Sequence, residues 1–107
     1  MKLKIYRQGD VLIQEIAEIP KTAKLEKVTG RIILAYGEAT GHHHSIKKTA
    51  KTRFLKAPGD QASYVEIAEA LALLEHQEHD TIQLPAGKYR VTIQQEYSPE
   101  EIRNVRD

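Results

Sequence analysis

The spacing of β-forming runs and turn signals is the feature that most constrains the fold of this chain. Apolar and β-branched residues occur in short runs, and glycine or proline separates many of them. Turn signals at such close spacing are typical of β-sandwiches and β-barrels, whereas βαβ units need long helical connections. We therefore predict an all-β fold, either a small β-barrel or a β-sandwich. At 107 residues the chain is long enough for one core, so residues 1–107 are expected to form a single domain.

Particular residues place the predicted strands and turns. The apolar run at residues 32–36 suits a central strand, and the Pro-Gly-Asp of residues 58–60 is a strong turn signal. The Pro-Ala-Gly of residues 85–87 predicts the turn of a late hairpin. Serine, proline and glutamates at residues 98–101 predict a short C-terminal helix. The other predicted strands are residues 4–6, 11–16, 42–48, 51–56, 82–84 and 89–93, with a polar loop at 20–29.

Residues 62–79 allow two interpretations. Their apolar residues fit a helical stripe, and the content of alanine, glutamate and leucine favours a helix. Two strands at residues 64–67 and 71–75, with a turn near residues 68–70, fit as well. The segment has no glycine to end a helix, so we favour the strands.

The five histidines form two short groups. The first histidine group is His42, His43 and His44, and the second is His76 and His79. Imidazole is a frequent ligand of divalent metals, and a site can be built from two short ligand segments. Because the chain has no cysteine, nitrogen and oxygen atoms must hold any metal. The sequence therefore predicts a site for a divalent ion such as zinc, iron, nickel or manganese.

Backbone geometry limits which histidines can act together. On a strand, His42 and His44 share a face and His43 points away. His76 and His79 lie on one face if their segment is helical and on opposite faces if it is a strand. A strand gives three ligands, for which we choose His42, His44 and His79, and a helix adds His76. Three ligands leave an open position for catalysis, whereas four suit a structural ion.

Carboxylates near the histidines suggest a possible chemistry. A metal with an open position lowers the pKa of bound water to about 7, which would support hydrolysis. Glu78 or Glu38 would then move the proton, and Glu75 and Asp80 are further candidates for a ligand or a hydrogen-bond acceptor. Alternatively, the ion would only join two hairpins and stabilise a small core. Whether the protein is an enzyme therefore stays open.

Part of the chain resembles the cupins, which are small metal-binding β-barrels. Gly37, His42 and His44 resemble the first cupin motif, and residues 79–87 resemble the second, which runs into a Pro-x-Gly turn. The resemblance implies a barrel with a metal site. The chain departs from the pattern, because no glutamate follows His44 at the family's spacing and Arg90 stands where the last metal histidine is expected. If the fold is cupin-like, the second histidine group must supply the missing ligand.

The charge distribution suggests an alternative function. Residues 1–57 carry twelve Lys or Arg against five Asp or Glu, and residues 58–107 carry four against ten. Opposite charges of this kind can pair across a subunit contact, and a homo-oligomer or an assembly module would use them in this way. The absence of cysteine fits a reducing cytosol, and the start of the chain has no apolar run of membrane length. We therefore expect a soluble cytoplasmic protein.

A third hypothesis is binding of single-stranded nucleic acid. The positive charges in the middle of the chain would contact phosphates, and Phe54 would stack on a base. The small net charge makes this hypothesis weaker than the other two. The basic residues concerned are Lys47, Lys48, Lys51, Arg53 and Lys56.

Overall fold

The computed structural model describes residues 3–36 and 41–93, and these residues form an all-β fold. The all-β prediction is thereby confirmed. No helix long and apolar enough to cross a membrane occurs in these two ranges. The helix predicted at residues 98–101 lies outside the described residues. The described strands are β1 (Ile5–Gln8), β2 (Val11–Ile16), β3 (Lys24–Leu25), β4 (Arg31–Tyr36), β5 (His43–Lys47), β6 (Thr52–Lys56), β7 (Ser63–Glu75) and β8 (Ile82–Ile93).

The sheet is open. Its hydrogen-bonded order is β1-β2-β8-β7-β5-β4, and β6 pairs with β7 and carries the short β3. A barrel needs two neighbours for every strand, but no described pairing joins β1 to β4. The prediction of a closed barrel is therefore wrong. Alternating apolar residues and close turns are common to barrels and open sheets, so the sequence pattern could not show whether the sheet closes.

The two longest strands, β7 and β8, connect the two parts of the sheet. β6 pairs with the first part of β7 and β5 with its last residues. The strands predicted at residues 64–67 and 71–75 are confirmed as extended, but they belong to the single strand β7, and an irregularity replaces the turn expected near residues 68–70. There Ile67 pairs with Gly87 and Leu71 with Pro85, so β7 contains the extra residues and bulges away from its partner.

The Pro-Ala-Gly turn predicted at residues 85–87 is wrong. β8 is continuous from Ile82 to Ile93, and residues 85–87 lie opposite the irregular part of β7. Proline lacks an amide hydrogen and is tolerated at a bulge, where a regular ladder bond is not required. The second motif of the cupin resemblance therefore loses the turn on which it depended.

Three buried polar side chains lie beside the apolar core. His44, Ser45 and Gln8 are buried although they are polar, and they lie on β5 and at the end of β1. A buried polar side chain needs a partner, so these positions indicate a specific network beside the apolar core. The core itself contains Val11, Ile13, Ile32, Ala35, Ile46, Phe54, Val65, Ile67, Ala72, Leu74, Leu84, Tyr89 and Val91.

Candidate metal centre

The two histidine groups converge in the folded chain. The ring centroids of His44 and His76 are 4.3 Å apart, those of His76 and His79 are 4.7 Å apart, and those of His44 and His79 are 5.9 Å apart. We call these three residues the histidine triangle. One member comes from β5 and two follow the end of β7, so residues more than thirty positions apart meet where β5 begins and β7 ends.

The remaining histidines occupy opposite sides of their segment, as the strand prediction requires. The ring of His42 lies 5.6 Å from that of His76, and its Nδ1 atom is 3.8 Å from Glu78 Oε1. His43 instead contacts Gln77, which accepts a hydrogen bond from its backbone amide at 2.8 Å. The Nδ1 atom of His43 is buried without a hydrogen-bond partner among the described residues. His42 is therefore next to the triangle, whereas the described hydrogen bonds of His43 are made with Gln77.

A turn explains how both members of the second group can join the first. β7 ends at Glu75, and residues 76–80 are neither helix nor strand. The Nδ1 atom of His76 accepts hydrogen bonds from the backbone amides of Glu78 at 3.0 Å and His79 at 3.3 Å. These bonds curl the chain around the His76 ring. Neither the helix nor the strand predicted for this segment included such a turn. The turn places both His76 and His79 beside His44.

The turn between β1 and β2 covers the triangle, and sequence reasoning assigned it no role in the site. Gly9 has a φ of 59°, and a Cβ atom there would lie 2.8 Å from His79 Nε2 and 3.4 Å from His44 Cε1. Asp10 places its Oδ1 atom 3.7 Å from His44 Nε2. The sequence shows Gly9 and Asp10 only as a turn, because their distance from the histidines depends on strand order.

Gln8 connects the two histidine groups. Its Oε1 atom is 2.8 Å from His44 Nδ1, and its Nε2 atom donates hydrogen bonds to the carbonyls of Leu74 at 3.0 Å and Asp80 at 2.9 Å. Gln8 and His44 are both 2% exposed. This network satisfies a buried amide completely, because its two hydrogens and its oxygen all have partners.

Burial and neighbouring rings keep His44 and His76 uncharged at neutral pH. Burial is the largest cause that lowers the pKa of His44, to about 4, and His76 and His79 lower it further while Asp10 opposes them. The pKa of His76 is also lowered, first by burial and then by His79 and His42. At neutral pH His44 and His76 therefore keep an unprotonated nitrogen, which is the form that binds a metal.

The carboxylates predicted from sequence have different surroundings. Glu78 lies beside His42, whereas Glu75 forms an ion pair with Arg31 at 2.7 Å. Asp80 contributes its backbone carbonyl to Gln8. Glu38 and Gly37 lie outside the described residues.

The basic run does not form one uniform surface. Arg53 pairs with Glu66 at 3.0 Å, and the amine of Lys56 lies 5.6 Å from the centre of the Phe54 ring. Phe54 is 7% exposed and belongs to the core, so little of its ring is available for a base. Nucleic-acid binding stays a prediction without a contact in its favour.

An open cavity of about 400 Å³ lies beside the triangle. His76 lines this cavity and is also a member of the triangle, so a small molecule in the cavity would reach the edge of the histidine site. The cavity is lined by Arg31, His43, Ser45, Glu75, His76 and Gln77.

Within residues 3–36 and 41–93, no three histidine or carboxylate side chains already occupy positions that could hold a metal ion. The three rings are close, but their nitrogen atoms do not converge on one point in this structure. Binding would require rotation of side chains. His79 is exposed, so its ring has room to rotate. Rotation of the half-buried His76 ring would also break the hydrogen bonds that its Nδ1 atom accepts from the backbone amides of Glu78 and His79.

Comparison with known proteins gives a family. A family model described as a domain of unknown function (DUF8820) matches residues 7–94, which include both histidine groups and the Gln8 turn. This match covers most of the chain, so the protein belongs to that family. No curated protein and no solved structure matches the chain. No cupin family matches the chain, so the cupin resemblance receives no support.

Proposed function

We propose that this protein binds a divalent metal ion through His44, His76 and His79. The observation that carries the proposal is the mutual approach of three imidazole rings from two distant segments, with centroids 4.3 to 5.9 Å apart. A zinc ion bonds to imidazole nitrogen at about 2.0 Å, which puts the centroids of two ligating rings about 5 Å apart. The spacing of the three rings is therefore close to the spacing of rings that share one ion, and side-chain rotation would have to direct their nitrogen atoms to a common point.

The protonation of the rings supports the same function. A metal competes with protons for imidazole nitrogen, and the lowered pKa values of His44 and His76 reduce this competition. Nitrogen-rich donor sets suit zinc, iron and nickel, and a carboxylate would also make manganese acceptable. Asp10 and His42 are candidates for a fourth ligand, because each lies beside one member of the triangle.

A catalytic use of the ion is the extension that the neighbouring cavity favours. A small substrate in the cavity beside His76 would approach the metal from solvent. The ion would supply Lewis acidity and an activated water, as in metal-dependent hydrolases. Glu78 is exposed and close to His42, and Asp10 is close to His44, so either carboxylate is placed to accept a proton.

The metal content of tag-free protein tests the proposal. Native protein and a His76→Ala/His79→Ala variant are purified identically, stripped, and titrated with zinc, iron(II), nickel and manganese. We expect about one equivalent of a tightly bound ion in the native protein, because a site of three histidines holds one metal. The double variant should bind at least about 100-fold more weakly, since it loses ligands and not only outer partners.

A His43→Ala variant is the matched control. It removes one imidazole from the first group but leaves the triangle intact, so its metal affinity should equal that of the native protein. Failure of native protein to take up any of the four ions would overturn the proposal. An equal loss of affinity in His43→Ala would do the same, because it would indicate binding by histidines in general. Circular dichroism and thermal unfolding confirm that the variants are folded.

A further inference from the structure

We infer that Gln8 is the positioning residue of the histidine triangle: it presents the Nε2 atom of His44 to the metal and anchors the turn that carries His76 and His79. The inference rests on the proposed function and names a residue outside both histidine groups. Its evidence is one buried amide that contacts both halves of the site.

The donor and acceptor atoms of Gln8 fix the tautomer of His44. The amide nitrogen has two hydrogens, and the carbonyls of Leu74 and Asp80 accept both. The oxygen that remains can only accept, so the His44 Nδ1 atom at 2.8 Å must donate. Neutral His44 therefore carries its proton on Nδ1 and has its lone pair on Nε2. Metal-bound histidines commonly show this arrangement, in which an acceptor holds the second ring nitrogen.

The same amide anchors the second histidine group. Leu74 lies two residues before His76, and Asp80 directly follows His79, so the accepting carbonyls flank the turn on both sides. A single side chain at the end of β1 thus fixes the turn relative to His44 on β5. Loss of Gln8 would disturb the tautomer and the turn together.

Asp10 determines what happens when Gln8 is removed. Its Oδ1 atom is 3.7 Å from His44 Nε2, which is beyond hydrogen-bond distance but close enough for the negative charge to favour a proton on that nitrogen. Without an acceptor at Nδ1, the carboxylate would favour the tautomer with its proton on Nε2. That proton blocks the nitrogen that the metal needs. A Gln8→Met variant should therefore bind metal more weakly, although every histidine is present.

Nitrogen-15 NMR of the metal-free protein tests the inference directly. In native protein we expect a protonated Nδ1 and an unprotonated Nε2 for His44. In Gln8→Met the population should move towards protonated Nε2, and zinc affinity should decrease about 10-fold to 100-fold, the usual cost of losing an outer partner. Gln14→Met, at a half-buried glutamine on β2, is the matched control and should change neither quantity.

The two readouts separate this inference from the proposed function. If native His44 carries its proton on Nε2, or if Gln8→Met leaves the tautomer unchanged, the role of Gln8 is wrong whatever the protein binds. If the tautomer is as expected but native protein binds no metal, the proposed function is wrong and the orienting role of Gln8 is retained. A merely structural glutamine would lower stability in the variant without moving the proton.

Discussion

The histidine triangle and the turn at Asp60 are two polar clusters that differ in how completely their hydrogen-bonding atoms are paired. At the turn, the Asp60 carboxylate accepts hydrogen bonds from the Ala62 amide at 2.9 Å and the Tyr64 hydroxyl at 2.5 Å. These contacts lower the pKa of Asp60, with the Tyr64 bond as the largest cause, and raise that of Tyr64. The Asp60 turn is thus a closed unit in which polar groups satisfy one another.

The triangle is fixed on one side and open on the other. Gln8 accepts from His44 Nδ1, so the Nε2 atom of that ring is left for a ligand. The Nδ1 lone pair of His76 is used by backbone amides, so neutral His76 carries its proton on Nε2 and must release these bonds before it binds a metal. Burial and the neighbouring imidazoles also lower the pKa of His44 and of His76, so neither ring readily takes up a proton. The comparison teaches that a polar cluster with unused acceptor atoms indicates binding, whereas a cluster with complete hydrogen bonding indicates structure.

Acid should destabilise the two regions in different pH ranges. The pKa of His44 is about 4 in the folded protein and 6.5 in its reference state. Between these values the unfolded chain binds a proton that the folded chain excludes, so stability falls as the pH decreases. We expect metal-free protein to lose up to about 3 kcal/mol in this range. The lowered pKa of Asp60 adds stability that is lost only as the pH falls below its usual 3.8.

Urea denaturation at a series of pH values measures both effects. His44→Gln should flatten the dependence between pH 6.5 and 4, whereas Tyr64→Phe should alter only the part at lower pH. A free energy of unfolding that stays constant from pH 7 to 4.5 would contradict the account of His44.

Zinc should stabilise the protein through the histidine triangle, and changes at the Asp60 turn should not alter this stabilisation. Free zinc at 100 times its dissociation constant should raise the free energy of unfolding by about 2.7 kcal/mol. His76→Ala/His79→Ala should abolish this increase. Tyr64→Phe should lower the starting stability by removing the bond to Asp60 but keep the same increase with zinc. Thermal unfolding with and without zinc checks the comparison, and an equal increase in all three proteins would indicate nonspecific binding.

Two glycines provide the finest comparison, because each belongs to one of the two regions. Gly9 and Gly59 have φ values of 59° and 76°, so alanine at either position should cost about 1 kcal/mol of stability. A Cβ atom at Gly59 meets nothing within 4 Å, whereas one at Gly9 lies 2.8 Å from His79 Nε2. Gly9→Ala should therefore also weaken zinc binding, which isothermal titration measures. Equal zinc affinity in the two variants would show that the Gly9 turn does not touch the site.

Local sequence signals predicted much of the fold. Residues 11–14 alternate in burial, as a strand with one face in the core should, and residues 63–75 form the extended strand that the sequence favoured over a helix. Long-range pairing was less predictable. The Pro-Ala-Gly of residues 85–87 has turn composition, but it lies in a continuous strand because β7 forms the bulge opposite it.

The histidines of the candidate site were visible in the sequence, but their supporting residues were not. His44 and Gln8 are 36 positions apart and meet only because the fold brings the end of β1 close to the start of β5. No local pattern marks a glutamine before Gly9 as a partner of histidine. Asp10 was missed for the same reason, because it is far from the histidines in sequence. Glu78 was selected because it lies between His76 and His79 in the sequence.

Anomalous diffraction from zinc-soaked crystals tests the central claim most directly. The account predicts one strong peak about 2.0 Å from the Nε2 atom of His44, with His76 and His79 rotated to share it. Gln8 should still accept the hydrogen bond from His44 Nδ1. Fully soaked crystals with no peak in the triangle, or with zinc bound only at His43 or at surface carboxylates, would contradict the account.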